Sequence, residues 1–220
     1  MSPKPFSNVT SSGVYTISGA IGSGDFQAYL QVDEEMDKVW LMVMGVNHGA
    51  NDARGASIDA ELPLSTEQSY ASSRLQPYMP DFTASEIEAV RFYCDTTYHD
   101  SIIHFYTTNE YQRQAAIDGN LNGNNEEYWV TNNVLYSDHT ARLPNATTYI
   151  FVGSHPNSVG FARSFLFITG GAHYAAGADS GNGAGTRFEC DDFVNNDDYA
   201  TTHQVWVSFA DHVNVTAHSP

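Results

Sequence analysis

The sequence predicts a β-rich α+β fold, and three features of the 220-residue chain point to it. Segments in which apolar and polar residues alternate recur along the chain, which is the pattern of half-buried strands. The chain carries 13 tyrosines, 12 phenylalanines and 3 tryptophans, and aromatic residues are enriched in strands. Polar stretches rich in Gly and Asn separate these segments, and the length is sufficient for one domain with a sizeable core.

The N-terminal half is predicted to contain a hairpin followed by a central strand. Residues 13–17 and 26–32 alternate in polarity and are predicted to pair around a glycine-containing connector. Residues 39–44 are apolar throughout, so this strand should lie in the middle of a sheet. Residues 45–85 are polar and contain Gly, Asn and Pro, which indicates a long ordered loop region.

The chain after residue 85 is predicted to contain one helix and several further strands. Strands are predicted at residues 86–94 and 101–107, and Asn109 is then a candidate N-cap with Gln112 at the third helical position. The helix should end at Gly119 after about two turns. Later strands are predicted at 148–152, 163–169 and 204–209, and the glycine-rich residues 170–185 are predicted to form a surface loop.

The first 12 residues form a predicted N-terminal arm, with the domain spanning residues 13–220. The arm contains two prolines and several Ser and Asn residues, and Phe6 and Val9 are too few apolar residues to fold on their own. We therefore expect the arm to become ordered by docking on a neighbouring copy or on another protein.

Charge and hydropathy exclude several classes of protein. The formal net charge is −17 at pH 7, which argues against binding to nucleic acid or to an anionic membrane surface. No stretch approaches the ~18–20 apolar residues of a membrane span, and the N-terminus has no signal-peptide pattern. Charged residues make up only 16% of the chain, so Asn, Ser, Thr, Gly and Gln must supply the polar surface. This composition is typical of an extracellular or virion β-protein.

The chain has two cysteines, Cys94 and Cys190. A secreted disulfide scaffold would carry more, and the sequence does not show whether the fold brings these two together. We expect two free, half-buried thiols, which agrees with folding in a reducing cytoplasm.

The order of several short segments resembles fibrinogen C-terminal-like (intelectin-like) domains, most closely the stand-alone versions of cyanophage-type virions. The resemblance covers residues 13–207 and lies in the order of the segments rather than in any one of them. Gln31-Val-Asp33 stands where animal relatives carry Tyr-Cys-Asp, so the usual disulfide pairs are missing. The segments are Gly13-Val-Tyr-Thr-Ile17, Phe26-Gln-Ala-Tyr-Leu-Gln-Val-Asp33, Val39-Trp-Leu-Met-Val43, residues 90–108, Phe188-Glu-Cys-Asp-Asp-Phe-Val-Asn-Asn196 and His203-Gln-Val-Trp-Val207.

This resemblance implies a single fibrinogen-like globular domain with long irregular loops and few short helices. It also implies Ca²⁺ binding in a late acidic loop, because such domains often hold calcium there. Closely spaced carboxylates and amides are hard oxygen ligands suited to Ca²⁺. The alternative is that these side chains cap turns through local hydrogen bonds to the backbone. The candidate metal ligands are Asp191, Asp192, Asn195, Asn196, Asp197 and Asp198, with Asp179 as a weaker candidate.

Aromatic residues in polar loops are candidates for ligand binding. Tyr and Trp beside Asn and Asp suit stacking on sugar rings or contact with proteins. The alternative is that these rings cover a loop-rich core. The residues singled out are Trp129, Tyr174 and Tyr199.

No catalytic motif is present in the sequence. Gly-x-Ser-x-Gly, His-Glu-x-x-His, a phosphate loop and a dinucleotide fingerprint are all absent. The nine histidines are scattered, and His104 is expected to be a half-buried structural residue.

We therefore expect a non-enzymatic phage structural protein displayed on the virion surface, as a tail or head appendage adhesin that recognises host surface glycan. Its other partners would be virion proteins, in a homo-oligomer or in multiple copies. The alternatives are a capsid decoration or fibre component with a purely structural role, and a secreted calcium-dependent lectin.

Overall fold

Antiparallel strands make up most of the described structure, as the β-rich prediction requires. A computed structural model describes residues 4–18, 24–49, 61–67, 71–72, 74–118, 140, 166–168, 173–179, 185–191 and 200–220. Within these ranges there is one helix, α1, at Glu110–Asp118. The strands are β1 Gly13–Ser18, β2 Phe26–Asp33, β3 Lys38–His48, β4 Ala71–Ser72, β5 Ile87–Thr96, β6 His99–Thr107, β7 Leu166–Ile168, β8 His173–Asp179, β9 Gly185–Cys190, β10 Thr201–Phe209 and β11 Thr216–His218.

The main sheet has the strand order β11-β1-β2-β3-β10-β5-β6, with the short β4 paired on β3. The predicted strands at 13–17, 26–32, 39–44, 86–94, 101–107 and 204–209 are all confirmed. The central position of β3 is confirmed as well, because β3 lies between β2 and β10. It is longer than predicted, since it continues through Asn47 and His48 to pair with Thr202 and Thr201. The predicted strand at 148–152 lies outside the described residues.

One face of the main sheet carries the principal hydrophobic core. Alternate residues of the central strands, such as Val43, Phe92 and Val205, are fully buried on this face. The helix lies beside β5, and its start is fixed as predicted, because the N–H of Gln112 donates to Asn109 Oδ1 over 3.3 Å. Arg113 Nη1 then donates to the carbonyls of Ala84 (2.9 Å) and Ile87 (3.0 Å), which ties the helix to the segment that leads into β5.

The opposite face carries a smaller buried cluster of aromatic residues around an arginine. The guanidinium of Arg91 lies 4.7 Å from the ring centroid of Trp40 and 4.9 Å from that of Trp206. Arg91 also donates to Gln31 and forms an ion pair with Asp33 at 3.6 Å. Stacking between two indoles together with a carboxylate partner compensates the cost of burying this charge.

A second sheet, β7-β8-β9, is attached to the core face by a disulfide. Strand β8 occupies part of residues 170–185, so the surface-loop prediction is wrong for residues 173–179. Glycine and alanine do not prevent pairing there, because β8 is fixed on both sides by β7 and β9. Cys94 of β5 and Cys190 of β9 are joined, with their Cα atoms 5.8 Å apart. The expectation of two free thiols is therefore wrong.

The N-terminal segment folds onto the domain. The ring of Phe6 is 1% exposed and lies 5.4 Å from the ring of Phe209, and Val9 is also buried. The N–H of Phe6 donates to the carbonyl of Val215 over 3.4 Å, and Asn8 Nδ2 donates to the carbonyl of Ala217. The expectation that Phe6 and Val9 dock on another molecule is therefore wrong, because the end of β10 and the C-terminal segment already cover them.

Candidate functional site: a polar cavity at the Thr201 end of β10

The ends of three neighbouring strands lie side by side at one end of the main sheet. Thr201, the first residue of β10, lies opposite His48 of β3 on one side and opposite Thr96 of β5 on the other. The last residues of β3 and β5 come beside the first residue of β10 because both strands run antiparallel to it. Polar residues from three distant parts of the sequence are thus brought together.

These strand ends border an open cavity of about 350 Å³. We call it the Thr201 cavity. Its volume falls within the ~300–1,000 Å³ typical of small-molecule sites. The residues that line it are Asn47, His48, Gly49, Asp95, Thr96, Thr97, Ala200, Thr201 and Thr202.

Hydrogen bonds hold the walls of the Thr201 cavity in place. Thr202 Oγ1 donates to Asn47 Oδ1 over 3.1 Å, and Asn47 Nδ2 donates to the carbonyl of Thr66 over 3.2 Å. On the opposite wall the N–H of Thr97 donates to the carbonyl of Ala200 (2.9 Å), while the N–H of Ala200 donates to Thr97 Oγ1 (3.2 Å). The walls are therefore preorganised, which lowers the entropy cost of binding a ligand.

The Thr201 hydroxyl belongs to a lining residue, and its hydrogen-bonding capacity is unused among the described residues. Thr201 is 3% exposed, and its Oγ1 has no hydrogen-bond partner within the described part of the chain. A buried polar atom left unsatisfied costs about 1–3 kcal/mol, so native folds rarely keep one without a reason.

Most residues that line the cavity carry polar side chains, and one of these is a carboxylate. Asp95 accepts a hydrogen bond from the hydroxyl of Tyr93 over 3.1 Å. Tyr98, the residue after Thr97, has its side chain exposed at 46%. Hydroxyl, amide and carboxylate groups suit a neutral ligand with many hydroxyl groups, because they can exchange hydrogen bonds with it.

The first residue of the predicted calcium loop, Asp191, lies within the described part of the chain. Asp191 follows the disulfide-bonded Cys190, is half-buried and has a positive φ of 63°. Ala200, two residues after Asp198, is hydrogen-bonded to Thr97. The other predicted ligands, Asp192, Asn195, Asn196, Asp197 and Asp198, lie outside the described residues. Among the residues that are described, no group of three or more His, Cys, Asp or Glu side chains is arranged to hold a metal ion.

Tyr174 is not available for ligand binding in the way the sequence predicts. Its ring is fully buried, with the ring of His203 at 4.8 Å and that of Phe92 at 5.5 Å. Its hydroxyl donates to the carbonyl of Gln204 over 3.2 Å, and burial raises the pKa of this phenol well above its usual value of 10. The prediction is wrong because β8 is a strand that packs this ring against the main sheet. Trp129 and Tyr199 lie outside the described residues.

Sequence reasoning missed the residues that form the Thr201 cavity. Asn47 and Thr96 each extend a predicted strand by a few residues, and Thr201-Thr202 precede the predicted start of the last strand. A run of threonines at strand ends is a weak signal, because only the pairing register reveals that these ends coincide. The half-buried setting expected of His104 is confirmed, with its ring 5.4 Å from that of Tyr93.

Comparison with known proteins found no matching family model, no similar curated protein and no similar solved structure. The nine-residue helix α1 is too short to cross a membrane, and no other helix occurs among the described residues to do so.

Proposed function

We propose that this chain is a non-enzymatic, virion-surface protein whose fibrinogen-like domain recognises host surface glycan at the Thr201 cavity. The observation that carries the proposal is the buried, unpartnered hydroxyl of Thr201 in a preorganised polar cavity. A sugar hydroxyl can both donate and accept a hydrogen bond, so it would satisfy Thr201 Oγ1 in either role. The exposed ring of Tyr98 adds a surface on which a pyranose can stack.

The disulfide supports a site that works outside the cell. Disulfides form and persist in oxidising surroundings, and Cys94–Cys190 fixes β9 to β5 two residues before Thr96 of the cavity wall. The net charge of −17 keeps such a displayed protein soluble and directs recognition away from anionic polymers.

The same disulfide also favours the second candidate, a secreted calcium-dependent lectin, because secreted proteins fold in oxidising surroundings. Both candidates recognise glycan at the exterior, and they differ in whether the protein is part of a particle. Antibodies raised against the purified domain separate them, because they should label intact virions if the first proposal holds. Labelling of the culture medium alone favours the secreted lectin.

A glycan array of neutral oligosaccharides tests recognition itself. The wild-type domain should bind a subset of the array, and Thr201→Val should abolish that binding because valine keeps the shape and removes the hydroxyl. The matched control is Ser208→Ala at the other end of β10, which should leave the binding pattern unchanged. Equal binding by wild type and Thr201→Val would refute the assignment of this cavity.

A further inference from the structure

The other end of β10 carries a second buried hydroxyl in a different chemical setting. Ser208 is 2% exposed, and its Oγ has no hydrogen-bond partner in the described part of the structure. It lines a cavity of about 180 Å³, which we call the Ser208 cavity. The remaining lining residues are Lys4, Pro5, Met36, Asp37, Lys38, Val39, Glu88, Phe209 and Asp211.

Carboxylates outnumber ammonium groups around the Ser208 cavity. Lys38 Nζ lies 2.5 Å from both carboxylate oxygens of Glu88, and Lys4 Nζ lies 2.7 Å from Asp37 Oδ2. Asp211 lies near enough to Lys4 to help raise the pKa of that ammonium, and the three carboxylates and two ammonium groups leave a net negative charge among the lining residues. A cation entering the cavity would therefore gain an opposite charge, whereas an anion would be repelled.

A longer groove continues from this cavity past the N-terminal segment. A neighbouring cavity of about 400 Å³ shares Lys4, Asp37 and Lys38 with the Ser208 cavity, so the Lys4–Asp37 pair lies between the two. Its lining is apolar at Phe6, Val9, Val32 and Val39 and acidic at Asp33 and Glu34. The pair is a weak barrier, because the side chains of Lys4 and Asp37 are 60% and 87% exposed and such surface pairs are worth little.

We propose that this groove is a docking site for a segment of a partner protein that inserts a basic side chain into the Ser208 cavity. The ammonium or guanidinium donates to Ser208 Oγ and is paired with Asp211, while apolar residues of the segment cover the Val32 and Val39 side chains. Charge complementarity and the unpartnered Ser208 hydroxyl define this occupant. The site is independent of the Thr201 cavity, which lies at the opposite end of the same strand.

The probe is a fluorescein-labelled peptide of alternating arginine and valine, with a glutamate-for-arginine peptide as its counterpart. Fluorescence anisotropy should show binding of the arginine peptide only. Ser208→Ala and Asp211→Asn should each weaken it about tenfold, as expected for a lost hydrogen bond to a charged group. Ser208→Ala removes an unsatisfied hydroxyl, so it should not lower the melting temperature.

Two control variants distinguish specific binding in the Ser208 cavity from general attraction of the peptide to an acidic surface. Asp25→Asn removes one exposed carboxylate at the opposite end of β2 from Asp33, and Thr201→Val removes the corresponding hydroxyl of the other cavity. Both should leave the affinity unchanged. Equal weakening by Asp25→Asn and Asp211→Asn, or unchanged affinity in Ser208→Ala, would overturn the proposal. Neither result bears on glycan recognition at the Thr201 cavity.

Discussion

The two ends of β10 each carry a buried hydroxyl, but the residues around them differ in charge. The hydroxyl at each end has no protein partner among the described residues, and the residue that carries it lines a cavity. The Thr201 end is surrounded by threonine and asparagine side chains with a single carboxylate, whereas three carboxylates and two lysines surround Ser208. The strand supplies the same group at both ends, and the neighbouring loops determine which ligand chemistry fits.

The two ends also differ in what holds them. A covalent bond between Cys94 and Cys190 lies next to the Thr201 cavity. The Ser208 end instead depends on the packing of Phe6 against Phe209 and on exposed ion pairs of Lys4 and Lys38. The difference predicts that the two ends can be weakened separately.

Removal of the disulfide should have the largest effect. The bridge joins cysteines with a sequence separation of 96, so replacing both Cys94 and Cys190 by alanine should lower the free energy of unfolding by about 4.7 kcal/mol. Urea unfolding measures the loss, and hydrogen exchange locates it. The amide of Thr97, which donates to Ala200, should lose protection before the amides of β10 near Phe209. Uniform loss of protection at both ends would show that the disulfide does not act locally.

Truncation of Phe6 should have the next largest effect and act at the opposite end. Phe6→Ala removes a buried ring from the contact with Phe209, which costs about 3–5 kcal/mol. Binding of the arginine peptide should weaken, because Phe6 lines the groove, while glycan binding should persist at temperatures where the protein remains folded. The control is Tyr98→Ala, which removes an exposed ring and should cost less than about 0.5 kcal/mol.

Thr201→Val should leave stability unchanged or raise it by up to about 1 kcal/mol, because it removes a polar atom that the folded protein leaves unsatisfied. The matched substitution is Thr107→Val. Thr107 is also buried, but its Oγ1 accepts the N–H of Asn109 over 3.1 Å, so this change should cost about 1 kcal/mol. Differential scanning calorimetry compares the two variants. A large destabilisation by Thr201→Val would mean that its hydroxyl is needed for the fold.

Replacement of Glu86 should cause the smallest change in stability, and this change should depend on pH. Partial burial of its carboxylate raises the pKa of Glu86. The carboxylate also accepts hydrogen bonds from the N–H and hydroxyl of Thr83 and from the hydroxyl of Ser85. These hydrogen bonds outweigh the effect of burial and hold the pKa below its usual value. A lowered folded-state pKa stabilises the protein above the unfolded-state pKa of about 4.3, and this stabilisation disappears as the pH falls through the folded-state value. Glu86→Gln should therefore cost about 1 kcal/mol near pH 7 and progressively less in acid. A cost that did not change with pH would contradict this.

The strands and the helix were predictable because their signals are local. Alternation located β1, β2, β5 and β6, and Asn109 marked the start of α1 through a contact three residues away. Strand β8 was missed because its glycine and alanine residues resemble a loop, and only pairing with β7 and β9 makes it a strand. Phe6 was assigned to an arm because its partners, Phe209 and Val215, lie about 200 residues away in the sequence.

The candidate site was less predictable than the fold for the same reason. Nothing near Thr201 in the sequence indicates that it will lie between His48 and Thr96, since that depends on the register of three strands. The disulfide could not be predicted either, because its cysteines have a sequence separation of 96. Aromatic composition indicated Tyr174, but burial against Phe92 and His203 removes its ring from the surface.

The central claim is that the Thr201 cavity, and not the rest of this acidic surface, recognises glycan. The most direct measurement is a titration of ¹⁵N-labelled protein with the oligosaccharide that binds best on the array, followed by heteronuclear NMR. We predict that the amide signals of Thr97, Tyr98 and Thr201 shift together, that signals of Ser208 and Phe209 stay fixed, and that Thr201→Val abolishes the shifts. Shifts that persist in Thr201→Val, or that occur at the Ser208 end, would contradict the account.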